Sequence, residues 1–283
     1  MSGLKTWTLS ELGSSVTALA LVPAWYVWAA ACLIADIAEV ARPSAPASAF
    51  LLASSWSVYL ADRAKWRDAW FDPADEAANP TRARWIWSHR RAVRVLALFS
   101  ALAGTIAACM FAPVLAPAPL GGQIAVWLYA GTPHCSHASP RFKDFLLVKN
   151  LAAAAGLLTL SVSAVMLDAR AALPDLIRHA GLPALIVITC DCVLCDIPDR
   201  QGDAAFGTRT IPVAFGVPAA RISAAILTIA AGAWLQLSPS PADHVWAWGL
   251  ALTSWPLAMA PSPWLRPLTD LRLPMIALAA AWI

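Results

Sequence analysis

The stretch VRVLALFSALAGTIAACMFAPVL, residues 93–115, decides the fold class. Arg94 is its only charged residue, and the other positions are apolar or small and uncharged. About 20 residues of this kind, wound into a helix, cross the hydrocarbon core of a bilayer. A helix also satisfies its own backbone hydrogen bonds, which lipid cannot do. The stretch therefore predicts a membrane-spanning helix.

Eight further apolar stretches lie on either side of it. They fall at residues 16–38, 45–61, 119–133, 145–167, 180–197, 211–235, 244–260 and 268–283. Of the 283 residues, 59% are hydrophobic and 13% are charged, whereas soluble domains have about 45–50% and about 25%. The sequence therefore predicts an all-α, polytopic transmembrane helix bundle of about nine spans, in a single domain that covers residues 1–283.

The positive charges are distributed unevenly between the loops. With the N-terminus in the cytoplasm and nine spans alternating, 17 of the 20 Lys and Arg residues lie on the cytoplasmic side. This bias follows the positive-inside rule and predicts a multi-pass protein of a bacterial inner membrane or a plasma membrane. The formal net charge is only +3, and no dense basic stripe indicates a nucleic-acid partner.

The cytoplasmic loop predicted at residues 191–210 carries four aspartates at its start. They are Asp191, Asp196, Asp199 and Asp203. On a helix the last three fall within an arc of about 60°, and Asp191 lies about 80° from the nearest of them. Carboxylates gathered in this way repel each other unless a cation lies among them, and carboxylate oxygens completed by substrate phosphate suit Mg²⁺. The alternative is a solvated acidic loop with no ligand.

A second cytoplasmic loop, residues 62–92, mixes both charge signs. Asp62, at the end of the second span, is a candidate metal ligand. An edge of this composition is also typical of solvated, snorkelling side chains. Four basic residues of this loop are candidates to bind phosphate oxygens, namely Arg63, Lys65, Arg82 and Arg84.

Lys149 lies inside the fifth apolar stretch, followed by Asn150. A cation at that depth indicates an anionic partner. Arg141 and Lys143 precede it and fit either the same role or that of a positive-inside anchor.

Three cysteines, Cys190, Cys192 and Cys195, lie beside the acidic residues of the sixth stretch. They suit either a soft metal or, as small apolar residues, close packing between helices. No histidine lies near them in sequence, which favours packing.

Asp191, Asp199-Arg200, Asp203 and the stretch GTRTIPVAFG, residues 207–216, resemble the second aspartate-rich motif of the UbiA superfamily of membrane prenyltransferases. The motif follows the sixth of nine predicted spans, as it does in that superfamily. Tyr59 to Asp68 follows the second span, where the superfamily has its first motif.

The first motif departs from the UbiA pattern. Asp62-Arg63 match, but Val58-Tyr59 replace the expected Asn-Asp pair. Trp66 stands where the last aspartate is expected, unless Asp68 serves with a shift of two residues.

The resemblance implies a UbiA-like fold and Mg²⁺-dependent transfer of a prenyl group from an isoprenoid diphosphate to a lipophilic acceptor in the bilayer. It implies catalytic, metal-binding roles for Asp62, Asp191, Asp199 and Asp203. It implies diphosphate binding by Arg63, Arg84, Lys143, Lys149, Arg200 and Arg209.

Two other functions remain open at this stage. The incomplete first motif allows a degenerate relative that binds an isoprenoid without turnover. The acidic residues alone also allow an unrelated transporter with a cation site. A CDP-alcohol phosphotransferase is disfavoured, since the sequence lacks its Asp-Gly-x-x-Ala-Arg pattern.

Overall fold

A computed structural model describes residues 19–68, 71, 73–130, 144–238 and 240–282. Over these residues the chain is helical and forms no strand. The helices are α1 (Leu21–Ile37), α2 (Ala45–Ala64), α3 (Pro73–Ala78), α4 (Pro80–Phe111), α5 (Ala118–Ala130), α6 (Val148–Asp168), α7 (Leu173–Leu176), α8 (Leu182–Ala205), α9 (Ile211–Ala214), α10 (Val217–Leu235), α11 (Pro241–Met259) and α12 (Ser262–Ala280). A π-helical turn, Ile177–Gly181, joins α7 to α8, and a 3₁₀ turn, Pro113–Leu115, follows α4.

The predicted all-α helix bundle is confirmed. Each apolar stretch coincides with a helix over the residues that the structure describes. Four helical segments are long and apolar enough to cross a membrane: Pro80–Phe111, Val148–Asp168, Leu173–Ala205 and Val217–Leu235. Nine crossings remain a prediction.

Three helix boundaries differ from those expected. The helix of the third stretch begins at Pro80, because Asn79 caps it by accepting a hydrogen bond from the Arg82 N–H at 3.0 Å. The acidic stretch expected as a loop at 191–210 is helical as far as Ala205. The last helix begins at Ser262 and so includes charged residues assigned to a loop. Both expected charged loops, 62–92 and 191–210, are thus helical over much of their length.

Small residues allow the helices to approach closely, as membrane bundles require. Gly104 of α4 faces Ser54 of α2, where an added Cβ would lie 2.7 Å from the serine Oγ. Gly232 of α10 faces α11, where a Cβ would lie 3.0 Å from the carbonyl oxygen of Ala247. Side chains larger than hydrogen would therefore push these helix pairs apart.

One end of the bundle is closed by a buried polar anchor. Arg42 donates two hydrogen bonds to the Asp36 carboxylate, at 2.7 and 2.6 Å, and one to the Ala277 carbonyl at 3.1 Å. The indole of Trp246, which is fully buried, donates to Asp36 at 2.7 Å. These contacts tie α1, α11 and α12 together.

At the opposite end, the C-terminal ends of α2 and α8 meet the N-terminal ends of α4, α6 and α12. This end, here called the acidic end, contains the predicted site.

Candidate functional site

Three aspartates of α8 form the centre of the acidic end. Asp196, Asp199 and Asp203 are spaced by three and four residues, so they lie on one face of the helix. Asp196 is 4% and Asp203 is 7% exposed. Asp196 belongs to this group, although only Asp199 and Asp203 were among the predicted ligands.

Lys149 of α6 lies between two of these carboxylates. Its Nζ is 2.8 Å from Asp196 Oδ1 and 2.9 Å from Asp203 Oδ2. Charges buried in a bundle of this kind are stabilised only when they are paired and hydrogen-bonded. An anionic partner was predicted for Lys149, and in the structure its partners are these two aspartates of the protein itself.

Asn150, the next residue of α6, also faces Asp196. Its Nδ2 donates to Asp196 Oδ2 at 2.8 Å, and the side chain is 1% exposed. Its amide oxygen is buried and has no hydrogen-bond partner among the described residues. A buried amide oxygen left unpaired is costly, and this one belongs to the amide group whose nitrogen binds Asp196. Asn150 thus offers a further hard oxygen at the site.

Asp199 pairs with an arginine of the last helix. Arg266 of α12 donates to Asp199 Oδ2 at 2.5 Å and to the Cys195 carbonyl at 3.1 Å. Sequence reasoning placed Arg266 in a loop and missed this contact. The pair holds the N-terminal end of α12 against the C-terminal end of α8.

Two further arginines bring positive charge to the same place. Arg82, in the first turn of α4, is 9% exposed and interacts electrostatically with Asp62 and Asp199. Arg63 of α2 interacts electrostatically with Arg82 and Arg266. Within the described residues, the Arg82 guanidinium forms no hydrogen bond and no ion pair. The acidic end thus contains three arginines and a lysine together with Asp62 and the three carboxylates of α8.

The first motif contributes less than the second. Asp62 ends α2, pairs with Lys65 at 2.6 Å, and keeps 45% of its side chain exposed. Asp68 pairs with Arg90 at 3.1 Å and Arg94 at 2.7 Å, and Arg94, then Arg90, hold the pKa of Asp68 below its usual range. Asp68 is therefore paired with arginines of α4 and does not join the aspartates of α8.

Asp191 has other partners. It accepts a hydrogen bond from the Tyr26 hydroxyl at 2.7 Å and forms an ion pair with Arg272 of α12. Asp191 and Arg272 are both buried, at 3% exposure each. Asp191 thus joins α1, α8 and α12, and the structure does not bring it into the Asp196, Asp199 and Asp203 group.

The remaining predicted diphosphate ligands are scattered. Arg84 and Arg200 are exposed, and Arg84 Nε donates to the Pro80 carbonyl at 3.2 Å. Arg209 is exposed, and its backbone N–H donates to the Asp144 carbonyl at 3.0 Å. Lys143 lies outside the described residues. Of the five predicted diphosphate ligands that the structure describes, Arg63 and Lys149 lie among the charges of the acidic end.

The cysteines do not form a metal site. Across the described part of the chain, no three His, Cys, Asp or Glu side chains are placed to hold a metal ion by themselves. Cys190, Cys192 and Cys195 are free and at least partly buried, as expected of packing residues.

Two solved structures share this architecture. The apo structure of a UbiA homolog from Aeropyrum pernix K1 matches with a TM-score of 0.58 and 14% identity, over 92% of this chain and 96% of that one. The structure of a UbiA homolog from Archaeoglobus fulgidus bound to DMAPP and Mg²⁺ matches with a TM-score of 0.56 and 14% identity, over 94% of this chain and 99% of that one. No family model and no curated protein matches the sequence.

Proposed function

We propose that this protein transfers a prenyl group from an isoprenoid diphosphate to a lipophilic acceptor within the membrane, with Mg²⁺. The reason is that it is an integral membrane protein with the fold of the UbiA homologs. One observation carries the proposal. Lys149 and Arg266 pair with the carboxylates of one face of α8, and Arg82 acts electrostatically on Asp199 and Asp62. A phosphate-bearing substrate and a divalent cation would together satisfy both sets of charges.

The donor chemistry of the acidic end fits Mg²⁺. Asp196, Asp199 and Asp203 offer carboxylate oxygens, and the orphaned Asn150 oxygen adds a neutral one. Mg²⁺ usually keeps one or two carboxylates and completes its shell with water and substrate phosphates. This agrees with the lack of a three-residue cage among the described side chains. Asp62 is the ligand that the first motif would supply, and Asp191 is held by Arg272.

The basic residues would bind the leaving group. Arginine forks and a lysine ammonium pair well with phosphate oxygens. Arg82 is buried without a partner in the described structure, so an incoming diphosphate would meet a desolvated cation already in place. Lys149 is shared by Asp196 and Asp203, and with Mg²⁺ held by those carboxylates its ammonium would be available to bind a diphosphate oxygen.

The transfer reaction begins with cleavage of the bond between the prenyl C1 and the diphosphate oxygen, and the electron pair leaves with the diphosphate. Arg82, Lys149 and Arg63 neutralise the charge that develops there. Bound Mg²⁺ supplies further neutralisation of the same group. Below the acidic end the bundle is apolar, with Phe50 and Leu51 fully buried, so water is kept from the allylic cation until the acceptor attacks.

The acidic end faces the cytoplasm in this proposal. Arg63, Arg82 and Arg94 all lie at this end, and the side predicted to carry most of the Lys and Arg residues is the cytoplasmic one. With nine spans, the N-terminus would lie on the same side.

A second function is favoured by two specific observations. Each of the three carboxylates of the cluster already has a basic partner in Lys149 or Arg266, and Val58-Tyr59 replace the Asn-Asp pair of the first motif. A protein of this kind would bind an isoprenoid diphosphate without transferring it.

A turnover experiment separates the two functions. Purified protein in lipid is incubated with radiolabelled geranyl or farnesyl diphosphate and a membrane lipid extract, with Mg²⁺ or with chelator. Mg²⁺-dependent diphosphate release with a new lipophilic product supports the transferase. Mg²⁺-dependent binding without release supports the binding protein. Neither binding nor release would reject both.

A further inference from the structure

Asp270, on α12, is a carboxylate that the proposed donor site does not use. Within the described structure no Lys, Arg or His lies within ion-pair distance of it. Its one hydrogen-bond contact is with Cys195 Sγ, 4.0 Å from its Oδ1. Asp196, Asp199 and Asp203, by contrast, each have a basic partner. A carboxylate on a helix inside a membrane bundle is costly and marks a functional position by default.

Four elements surround Asp270. It interacts electrostatically with residues of α2, α4, α8 and its own helix. The charged and titratable groups that act on it electrostatically are Tyr59 and Arg63 of α2, Arg82 of α4, Asp191, Cys192 and Cys195 of α8, and Arg266 of α12. Enclosed in this way, Asp270 still keeps part of its surface accessible. It therefore borders accessible space rather than filling the packed core.

Tyr59 faces the same space. Its hydroxyl forms no hydrogen bond with the described residues, although the side chain is largely enclosed. Buried polar groups normally have hydrogen-bond partners. Tyr59 and Asp270 act on each other electrostatically, and a phenol and a carboxylate of this kind are suited to bind a polar group of a ligand, as donor and acceptor.

The depth of Asp270 relates it to the donor site. Arg266 binds Asp199, and Asp270 follows it by one helical turn on the same face of α12. Four residues of helix advance by about 6 Å, away from the acidic end. Asp270 thus lies just below the position proposed for the diphosphate, on the side where the prenyl chain continues into the bundle.

We infer that Tyr59, Cys192, Cys195 and Asp270 form the subsite for the acceptor, and that the Asp270 carboxylate takes the proton that the acceptor loses. This inference rests on the proposed transfer function. The acceptor is a lipophilic molecule with a hydroxyl or phenol group. Its nucleophilic atom forms the new bond to the prenyl C1, the diphosphate leaves with the electron pair of the broken bond, and the acceptor proton passes to Asp270.

The test compares Asp270→Asn with Asp270→Glu and with Asp243→Asn. Asp243 is a matched control, since it is a buried carboxylate on α11 at the opposite end of the bundle. Farnesyl diphosphate binding with Mg²⁺ is measured first. Transfer to a membrane lipid extract is then followed as a function of pH.

We expect Asp270→Asn to bind farnesyl diphosphate as tightly as the wild type and to transfer it at least about 100-fold more slowly, as loss of a general base predicts. Its residual rate should lose the acidic limb of the pH profile, and Asp270→Glu should restore part of the rate. Asp243→Asn should match the wild type.

Three results would overturn the inference. The first is an unchanged rate and pH profile in Asp270→Asn. The second is a loss of donor binding in that variant, which would place Asp270 in the donor site. The third is donor binding without any transfer by the wild type, which would leave the donor site standing. If the wild type neither binds nor transfers the donor, the proposed function itself fails.

Discussion

Lys149 on α6 is shared by Asp196 and Asp203 on α8, with its Nζ 2.8 and 2.9 Å from the two carboxylates. Lys149 lies 47 positions from Asp196 and 54 positions from Asp203 in the sequence. This contact sets one positive charge against two buried negative ones, and it places the lysine where a diphosphate would compete for it.

Replacing Lys149 with methionine should expose this competition. The change keeps the side chain's length and removes the charge, so Asp196 and Asp203 would repel each other without a cation. We expect a lower melting temperature in chelator and a larger stabilisation by Mg²⁺ than in the wild type. Thermal unfolding in detergent, with Mg²⁺ or chelator, measures both. Equal Mg²⁺ effects in the two proteins would argue against a cation site at these carboxylates.

Arg82 and Arg84 form a natural pair of test and control. Arg82 is buried without a partner in the described structure, whereas Arg84, two residues along the same helix, is exposed. We expect Arg82→Gln to reduce the rate of diphosphate release about 10²- to 10³-fold, as for other donors that stabilise a developing anion. Arg84→Gln should change it little. The reverse order would restore the assignment of Arg84 that the resemblance implied.

Asp191 and Arg272 should act as a structural pair. Removing one partner leaves a buried charge unpaired, so Asp191→Leu and Arg272→Met should each destabilise the protein by about 3–5 kcal/mol. The double variant should recover most of this loss, because both charges are gone. Thermal unfolding of the four proteins in detergent completes the cycle. Single variants that keep their stability but lose Mg²⁺ binding would instead make Asp191 a metal ligand.

Gly104 and Gly156 test the packing of the bundle. A Cβ at Gly104 would lie 2.7 Å from Ser54 Oγ, and one at Gly156 would have no atom within 4 Å. Gly104→Ala should therefore destabilise the protein by about 1–3 kcal/mol through overpacking. Gly156→Ala should be neutral or stabilise by about 0.4–1 kcal/mol. Melting temperatures of both variants in detergent measure the difference, and a similar value for both would contradict the close approach of α2 and α4.

The helices of the bundle were predictable because each one contains a long apolar stretch of sequence. The residues at which the helices end were not predictable from apolar length, since capping determines them. Asn79 and Pro80 start α4 well inside an expected loop. The acidic stretch is helical as far as Ala205, and Pro198 lies inside this helix without ending it.

Part of the site was predictable for the same reason. Asp199, Asp203 and Lys149 were predicted as site residues because they are charges next to or inside apolar stretches. Arg266, Asp270 and Arg272 were not predicted as partners of α8, because the sequence of the last helix predicts a charged loop followed by a short span. Their partners on α8 lie more than 60 residues away, and no spacing rule in a single sequence indicates which helices touch.

Asp199 offers the most direct test of the central claim, that the acidic end is a Mg²⁺-dependent diphosphate site. Equilibrium binding of radiolabelled farnesyl diphosphate and its release as free diphosphate would be measured for the wild type, for Asp199→Ala and for Asp175→Ala, an exposed acidic control on α7. We predict that the wild type and Asp175→Ala bind the donor only with Mg²⁺ and release diphosphate, and that Asp199→Ala abolishes turnover while keeping a cooperative thermal transition. Turnover retained in a folded Asp199→Ala protein would contradict the account.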